Sequence, residues 1–300
     1  MTNIMSNKFI QLLFLMLCTL LASCSDSAAP IYQGPYIKVL NTTAVEDLDA
    51  EFHRYRYQLD NLENGVPPLI LESLPKDLPL LSSNREKKQY FCKLILPMIL
   101  LANEEIKKER AQVEEFKRLL DQGESLDKYQ LQILAYLKKR YEVNSKPGSL
   151  SALIDILLRR VDIIPPDLAL AQAANESAWG TSRFSQSANN LFGEWTFIPG
   201  TGIIPEDRPE GATYEVRRFK TIYASIRSYL RNLNTHAAYR ELRQLRAEAR
   251  GESIPLDGIK LAEGLFRYSI RGEEYVKNLQ SLIRQNRLTR FSGASLRLRS

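Results

Sequence analysis

Residues 170–180 read Leu170-Ala171-Gln172-Ala173-Ala174-Asn175-Glu176-Ser177-Ala178-Trp179-Gly180. Alanine and leucine are the strongest helix formers. Pro165-Pro166-Asp167 just upstream opens a helix over Leu168–Ser177, and Gly180 ends it. Ala169, Ala173 and Glu176 fall on one face by the i, i+3, i+4 rule. The run therefore carries a single carboxyl along a close-packed apolar face to the helix end. A purely structural helix seldom places a Glu in such a run, although a Glu176 facing solvent and a Trp179 packed in the core is the plain alternative.

Outward from this helix the pattern stays helical. Upstream, Phe91, Leu94, Ile95, Met98, Ile99 and Leu101 mark a broad apolar face that contains Pro97. Ile106, Val113, Phe116 and Leu119 continue it as a more exposed amphipathic face, broken at Gly123. Leu126–Leu137 forms the next helix, and Ser149 is placed to cap Leu150–Arg159. Downstream, residues 184–218 lack helix signals and hold Asn189-Asn190, Gly193, Pro199-Gly200, Gly202, Pro205, Pro209 and Gly211. Within them Tyr214–Phe219 alternates as a strand does. A segment this long between helices reads as a small β-lobe or a functional loop. Helices return over Thr221–Asn232, His236–Arg250, Pro255–Phe266 and Glu273–Asn286. The fold class is mainly α, with one irregular insert. The alternation of strands and crossover helices that builds a parallel sheet is absent.

The N-terminus has a different character. Lys8 precedes an apolar run, Phe9–Ala22, interrupted only by Gln11 and Thr19. That is the shape of a signal peptide over residues 1–23, and it is short for a membrane-spanning helix. Leu21-Ala22-Ser23-Cys24 resembles a bacterial lipobox, in which cleavage precedes a cysteine that then carries acyl chains such as palmitate; a plain secretory peptide is the alternative. Several chains anchor firmly where one does not. Ser25 in place of Asp implies the outer membrane, facing the periplasm. Residues 24–85 hold Pro30, Pro35, Pro67, Pro68, Pro75 and Pro79. They read as a membrane tether and extended lead-in, either a spacer or a drape over the domain.

The chain of 300 residues has 41 basic and 35 acidic side chains, a formal charge of +6. That mild excess fits an anionic polymer or a membrane surface and by itself does not argue nucleic acid; no nucleic-acid motif appears. Arg284, Arg287, Arg290, Arg297 and Arg299 occur with no acid among them, so residues 291–300 are expected as a solvated basic tail, with surface attachment the alternative. With Cys18 removed and Cys24 capped, Cys92 is the one free thiol, which leaves no disulfide framework. Its apolar neighbours make it a small buried hydrophobe. His53 and His236 are far apart in the chain, and one thiol supplies no cluster, so no metal site is expected. No phosphate loop, serine-hydrolase elbow or cofactor motif is present.

The Ala-rich Glu176-Ser177-x-Trp179-Gly180 run resembles the signature of the N-acetylglucosaminidase domains of bacterial autolysins and the flagellar rod-cap muramidase. Over residues 86–290 the chain is similar to the Bax protein family of proteobacteria. The resemblance rests on Asn190-Leu191-Phe192-Gly193, Glu194-Trp195, Glu215–Phe219, Asn232–Arg240 and Tyr268–Val276. It implies a lysozyme-like helical body with a small β-lobe beside an active-site groove. The implied activity is hydrolysis of the β-1,4 bond after N-acetylglucosamine in peptidoglycan, and the implied partners are glycan strands. Glu176 is then the general acid, because an apolar setting keeps a carboxyl protonated for the leaving oxygen. Tyr268 matches a tyrosine near the substrate, orienting the N-acetyl group or stabilising charge, or else it anchors the last helices. Trp179, Asn190, Phe192 and Trp195 are the candidate substrate contacts, with Phe197 beside them; packing of the lobe is the alternative for Trp195 and Phe197. Glycoside hydrolysis calls for a second carboxylate or help from the substrate. Glu215, on a strand, is favoured; Glu206 is the alternative, and Glu210 lies between. A wall-binding scaffold that keeps the fold without turnover is the rival function.

Overall fold

The computed structural model describes residues 37–206 and 208–297. The signal segment, the lipobox and Cys24 lie outside the described residues. The first elements are β1 (Lys38–Leu40), α1 (Val45–Arg54) and β2 (Leu69–Leu71), followed by a 3₁₀ turn at Leu78–Leu80. Then come the 38-residue α2 (Asn84–Asp121), α3 (Lys128–Arg140) and α4 (Leu150–Arg160). Residues 166–177 form α5 (Pro166–Ser177), and α6 (Arg183–Ala188) leads into a lobe of β3 (Trp195–Thr196), β4 (Gly202–Ile203) and β5 (Glu215–Arg217). The chain finishes with α7 (Ile222–Thr235), α8 (Arg240–Gly251), α9 (Gly258–Leu261) and α10 (Glu273–Gln285), with 3₁₀ turns at Ala237–Tyr239, Ala262–Leu265 and Leu288–Phe291.

The mainly α expectation is met, and local chemistry explains the element ends. Ser83 caps α2 by accepting from the Glu86 amide, and Ser149 caps α4 by accepting from Ala152. Asp127 and Gln130 form a reciprocal capping box on α3. Pro97 is buried inside α2. The insert contains the short helix α6, unmarked by any apolar period, before its sheet begins. That sheet has the order β3-β5-β4, antiparallel throughout, with Trp195 opposite Val216 and Gly202 opposite Arg217.

α5 is the centre of the body. Every residue from Pro166 to Ala174 is buried, and α2, α9, α10 and the Leu288–Phe291 turn pack around it. Small side chains allow this close approach from several sides. Asp162, just before α5, is 2% exposed and is held by Arg250 at 2.9 and 3.0 Å, Arg110 at 3.3 Å and Arg246 at 3.7 Å.

Of the two readings of residues 24–85, spacer or drape, the described part from residue 37 is a drape that folds into the body. From Lys38 onward the chain is one compact unit. β1 and β2 pair in parallel, and Val45, Leu48 and Phe52 bury one face of α1. Leu69, Ile70, Leu71, Leu74 and Leu78 are buried as well. Each such side chain contributes roughly 1.5–3 kcal/mol, which outweighs the loop-forming tendency of the prolines. The boundary drawn at residue 85 is therefore not a boundary in the fold.

The basic tail is also bound in, through Arg297. Val66 donates to Ser295 O at 2.8 Å and accepts from the Arg297 amide at 2.8 Å. Gly65, at φ +73°, permits this because a Cβ there would meet Arg297 Cα at 2.6 Å. Phe291 is fully buried, and Arg290 pairs with Asp60 at 2.6 Å. Among the described residues no helix is long and apolar enough to cross a membrane.

Candidate active site

Glu176 sits in the last turn of α5, where the chain reverses. Ala178, Trp179 and Gly180 follow with φ of +50°, +59° and +80°. Three consecutive left-handed residues are costly for any side chain except glycine, so the turn must be held from outside. Ser177 does this: its hydroxyl donates to Ala173 O at 2.6 Å and accepts from the Gly180 amide at 2.8 Å. Space is also tight at Gly180, where a Cβ would come within 3.1–3.2 Å of Leu74, Phe91 and Leu78. The Ser and Gly of the motif are thus the clasp of a strained turn that presents the carboxyl.

The Glu176 side chain is half-buried. Its Oε1 accepts from Tyr275 Oη at 2.8 Å and from Asn175 Nδ2 at 2.9 Å. Asn175 is steadied in turn by Asn278 at 3.1 Å. Oε2 accepts no hydrogen bond from the described residues. Behind the carboxyl the chain of bonds goes deeper. Gln172, fully buried one turn earlier on α5, donates to Tyr275 Oη at 3.0 Å and accepts from Tyr229 Oη at 2.5 Å. The bonds run in one direction, from Tyr229 on α7 through Gln172 and Tyr275 on α10 to Glu176, and so fix the orientation of its carboxyl.

Tyr268 is brought to this cluster. Its ring stacks on Tyr275 with centroids 5.4 Å apart and planes 6° off parallel, and lies 5.8 Å from Tyr239. Its hydroxyl donates to Phe192 O at 3.2 Å. Burial, with the charge of Glu176 nearby, pushes the Tyr268 and Tyr275 phenols well above their usual range. Both are therefore neutral hydrogen-bond donors at neutral pH. Tyr275→Phe removes a hydrogen bond that orients Glu176. Such bonds are worth about 0.5–1.5 kcal/mol, so kcat should fall roughly 2- to 10-fold with KM little changed; steady-state assays on soluble glycan strands check this.

The other candidates fall into two groups. Asn190 and Phe192 are interior. Asn190, 1% exposed, donates to Glu194 O and Arg217 O at 2.9 and 2.8 Å and accepts from the Glu194 amide at 3.0 Å. It brackets the lobe to the body. Phe192 stacks on Tyr229 at 3.8 Å, with planes 3° apart. Neither is placed as a sugar contact, because both spend their surface on packing. Trp179 packs edge-on to Phe91 at 5.7 Å with Lys88 Nζ 4.8 Å over its ring, so it buttresses the turn against α2. Trp195 and Phe197 are open, at 51% and 74% exposure. Trp195 is steadied by the edge of Tyr214 at 4.6 Å, leaving ring surface free to stack on a sugar.

The two acids considered as partners of Glu176 are both engaged. Glu215 is buried, and its oxygens accept the amides of Gly200 at 2.9 Å and Gly202 at 2.8 Å. Those amide bonds, Gly200's first, lower its pKa. It closes the β3–β4 loop and is paired with neither Arg217 nor Arg218. Glu206 is exposed and bonded to Arg183 at 2.5 Å. Four participants were missed from the sequence: Gln172, Tyr229, Tyr239 and Tyr275. Gln172 alone carried a local signal, as a polar residue four positions before Glu176 on an otherwise apolar face.

The glucosaminidase family, described as mannosyl-glycoprotein endo-beta-N-acetylglucosaminidase, matches residues 151–288, a span that takes in Glu176 and all four tyrosines of the cluster. Protein bax of Escherichia coli strain K12 is 31% identical over 214 residues, which covers 71% of this chain and 74% of that protein. Among solved structures, the catalytic domain of the autolysin Auto from Listeria monocytogenes aligns with a TM-score of 0.33 at 18% identity, over 56% of this chain and 89% of that one. The chain is a glycoside hydrolase of the glucosaminidase class and belongs to the Bax protein family.

Proposed function

We propose that this protein is a peptidoglycan hydrolase that cuts the β-1,4 bond after N-acetylglucosamine, with Glu176 as the general acid. The observation that carries the reading is the asymmetry of the Glu176 carboxyl. Two donors converge on Oε1 and none on Oε2, which is how a carboxyl is held when one oxygen is to deliver a proton. The exposed Trp195 and Phe197 on the lobe supply flat apolar surface suited to sugar rings. We also propose that the chain is lipidated at Cys24 and faces the periplasm from the outer membrane, which would hold the site beside an insoluble substrate. Metabolic labelling with a palmitate analogue, lost in Cys24→Ala, tests the anchor.

Digestion of purified sacculi tests the activity. The expected result is new reducing ends that are N-acetylglucosamine by mass spectrometry. Reducing N-acetylmuramic acid ends would instead assign the other glycosidic bond. A second reading, a wall-binding scaffold without turnover, draws on the engagement of Glu215 and Glu206; retention on intact sacculi with no released muropeptides would favour it.

A further inference from the structure

The reaction needs a group to activate water opposite Glu176, unless the substrate's own N-acetyl group attacks. Four acids of the insert are described. Glu215 is consumed by two backbone amides, Glu206 by Arg183, and Glu210 lies exposed. The fourth is Glu194. It immediately follows the Asn190–Gly193 step and immediately precedes the exposed Trp195. Asn190 pins its backbone through both N–H and C=O. Its Oε2 accepts from Ser228 Oγ at 2.8 Å, with Arg217 Nη1 at 3.5 Å. Its Oε1 is buried and has no hydrogen-bond partner among the described residues. A buried carboxylate oxygen without a donor is rare in folded proteins and asks for a reason. Two residues before Glu194, Phe192 O accepts from Tyr268, whose ring stacks on Tyr275, the donor to Glu176, so both carboxyls border one aromatic cluster.

We propose that Glu194 is the second carboxylate of this site, the general base that takes a proton from the attacking water. The inference rests on Glu176 being the acid. In the step, the water oxygen bonds to C1 as the C1–O bond to the leaving sugar breaks. The Glu176 proton goes to the leaving oxygen, and a water proton goes to Glu194. Both carboxyls then return to their starting states by exchange with solvent. Ser228 and Arg217 hold Oε2, so Oε1 is the oxygen left for water. The side chain keeps 15% of its surface open, and it adjoins the exposed Trp195. Burial raises the Glu194 pKa, against the pull of Ser228, Arg217 and Arg231. That raises its basicity and fits the task.

The test uses the full chain on soluble peptidoglycan strands. Glu194→Gln keeps the shape and should lower kcat at least 100-fold with KM within threefold. Glu194→Ala should be as slow, and added formate or azide should restore at least tenfold of its rate. A purely structural role predicts no such rescue. The inference is overturned by a Glu194→Gln enzyme with more than a third of wild-type kcat, or by a dead Glu194→Ala enzyme that neither anion restores. Glu176→Gln run alongside separates the two claims. If it stays active, the acid assignment fails; if it is dead while Glu194→Gln is active, only the present inference fails.

Discussion

Glu176→Gln should lower release of reducing ends from sacculi by at least about 1,000-fold while leaving the fold intact. General acid catalysis typically contributes about 10²–10⁴-fold, and an amide has no proton to give the leaving oxygen at neutral pH. The substitution is nearly isosteric. The carbonyl of the new side-chain amide can still accept from Tyr275 and Asn175, so the bonds that orient the side chain survive. The turn beyond it is held by Ser177 and Gly180, neither of which contacts the changed atom. Binding to sacculi and the urea midpoint should therefore match wild type. Unchanged release of reducing ends would remove Glu176 from the reaction.

The largest effect on stability should come from Asp162→Asn. This carboxylate meets three arginines, one of which, Arg246, is only 1% exposed, while Arg110 also pairs with Glu114 at 2.7 Å. Burial by itself raises the Asp162 pKa, but the Arg250 hydrogen bonds and the charges of Arg246 and Arg110 outweigh it and hold the group below the usual carboxylate range. Removing one partner of a buried ion cluster leaves uncompensated charge, at about 3–5 kcal/mol. Urea denaturation at pH 7 should show that loss. The sign with pH follows from the depressed value. The stabilisation is fully present above the unfolded-state pKa of about 3.9, and it fades as pH falls through the folded-state value. The gap between wild type and Asp162→Asn should thus narrow at pH 3. An equal gap at both pH values would mean that packing, not charge, is what Asp162 supplies.

Helices were the most legible part of the chain because their signals are local. The Ser149 cap, the Gly123 stop and the apolar face of Phe91 to Leu101 are written within a few residues of where they act, and α2, α4, α7 and α10 appear close to where these signals put them. The lead-in stayed open between spacer and drape for a physical reason. Its prolines advertise loop, while its stability comes from Leu69, Ile70, Leu71, Leu74 and Leu78 meeting a body that is distant in sequence. The Val45–Leu48–Phe52 spacing of α1 was present but short. The tail was misread likewise, because runs of arginine look solvated until Val66 is found to bond the backbone beside them.

What residues 170–180 determined by themselves is an alanine-rich helix that delivers one carboxyl to its end. Alanine content, the Pro166 start and the Gly180 stop all act locally, so no distant information is needed; the strained turn and its Ser177 clasp came from the structure. Only the tertiary structure decided how that carboxyl is held and how the acids of the lobe are engaged. The Tyr275 bond to Glu176 joins residues 99 apart; the Asn190 bracket, the amides that consume Glu215 and the unpaired oxygen of Glu194 likewise depend on how the lobe seats on the body. Hydrogen bonds of that kind are set by packing of separate elements, and neither periodicity nor propensity encodes them.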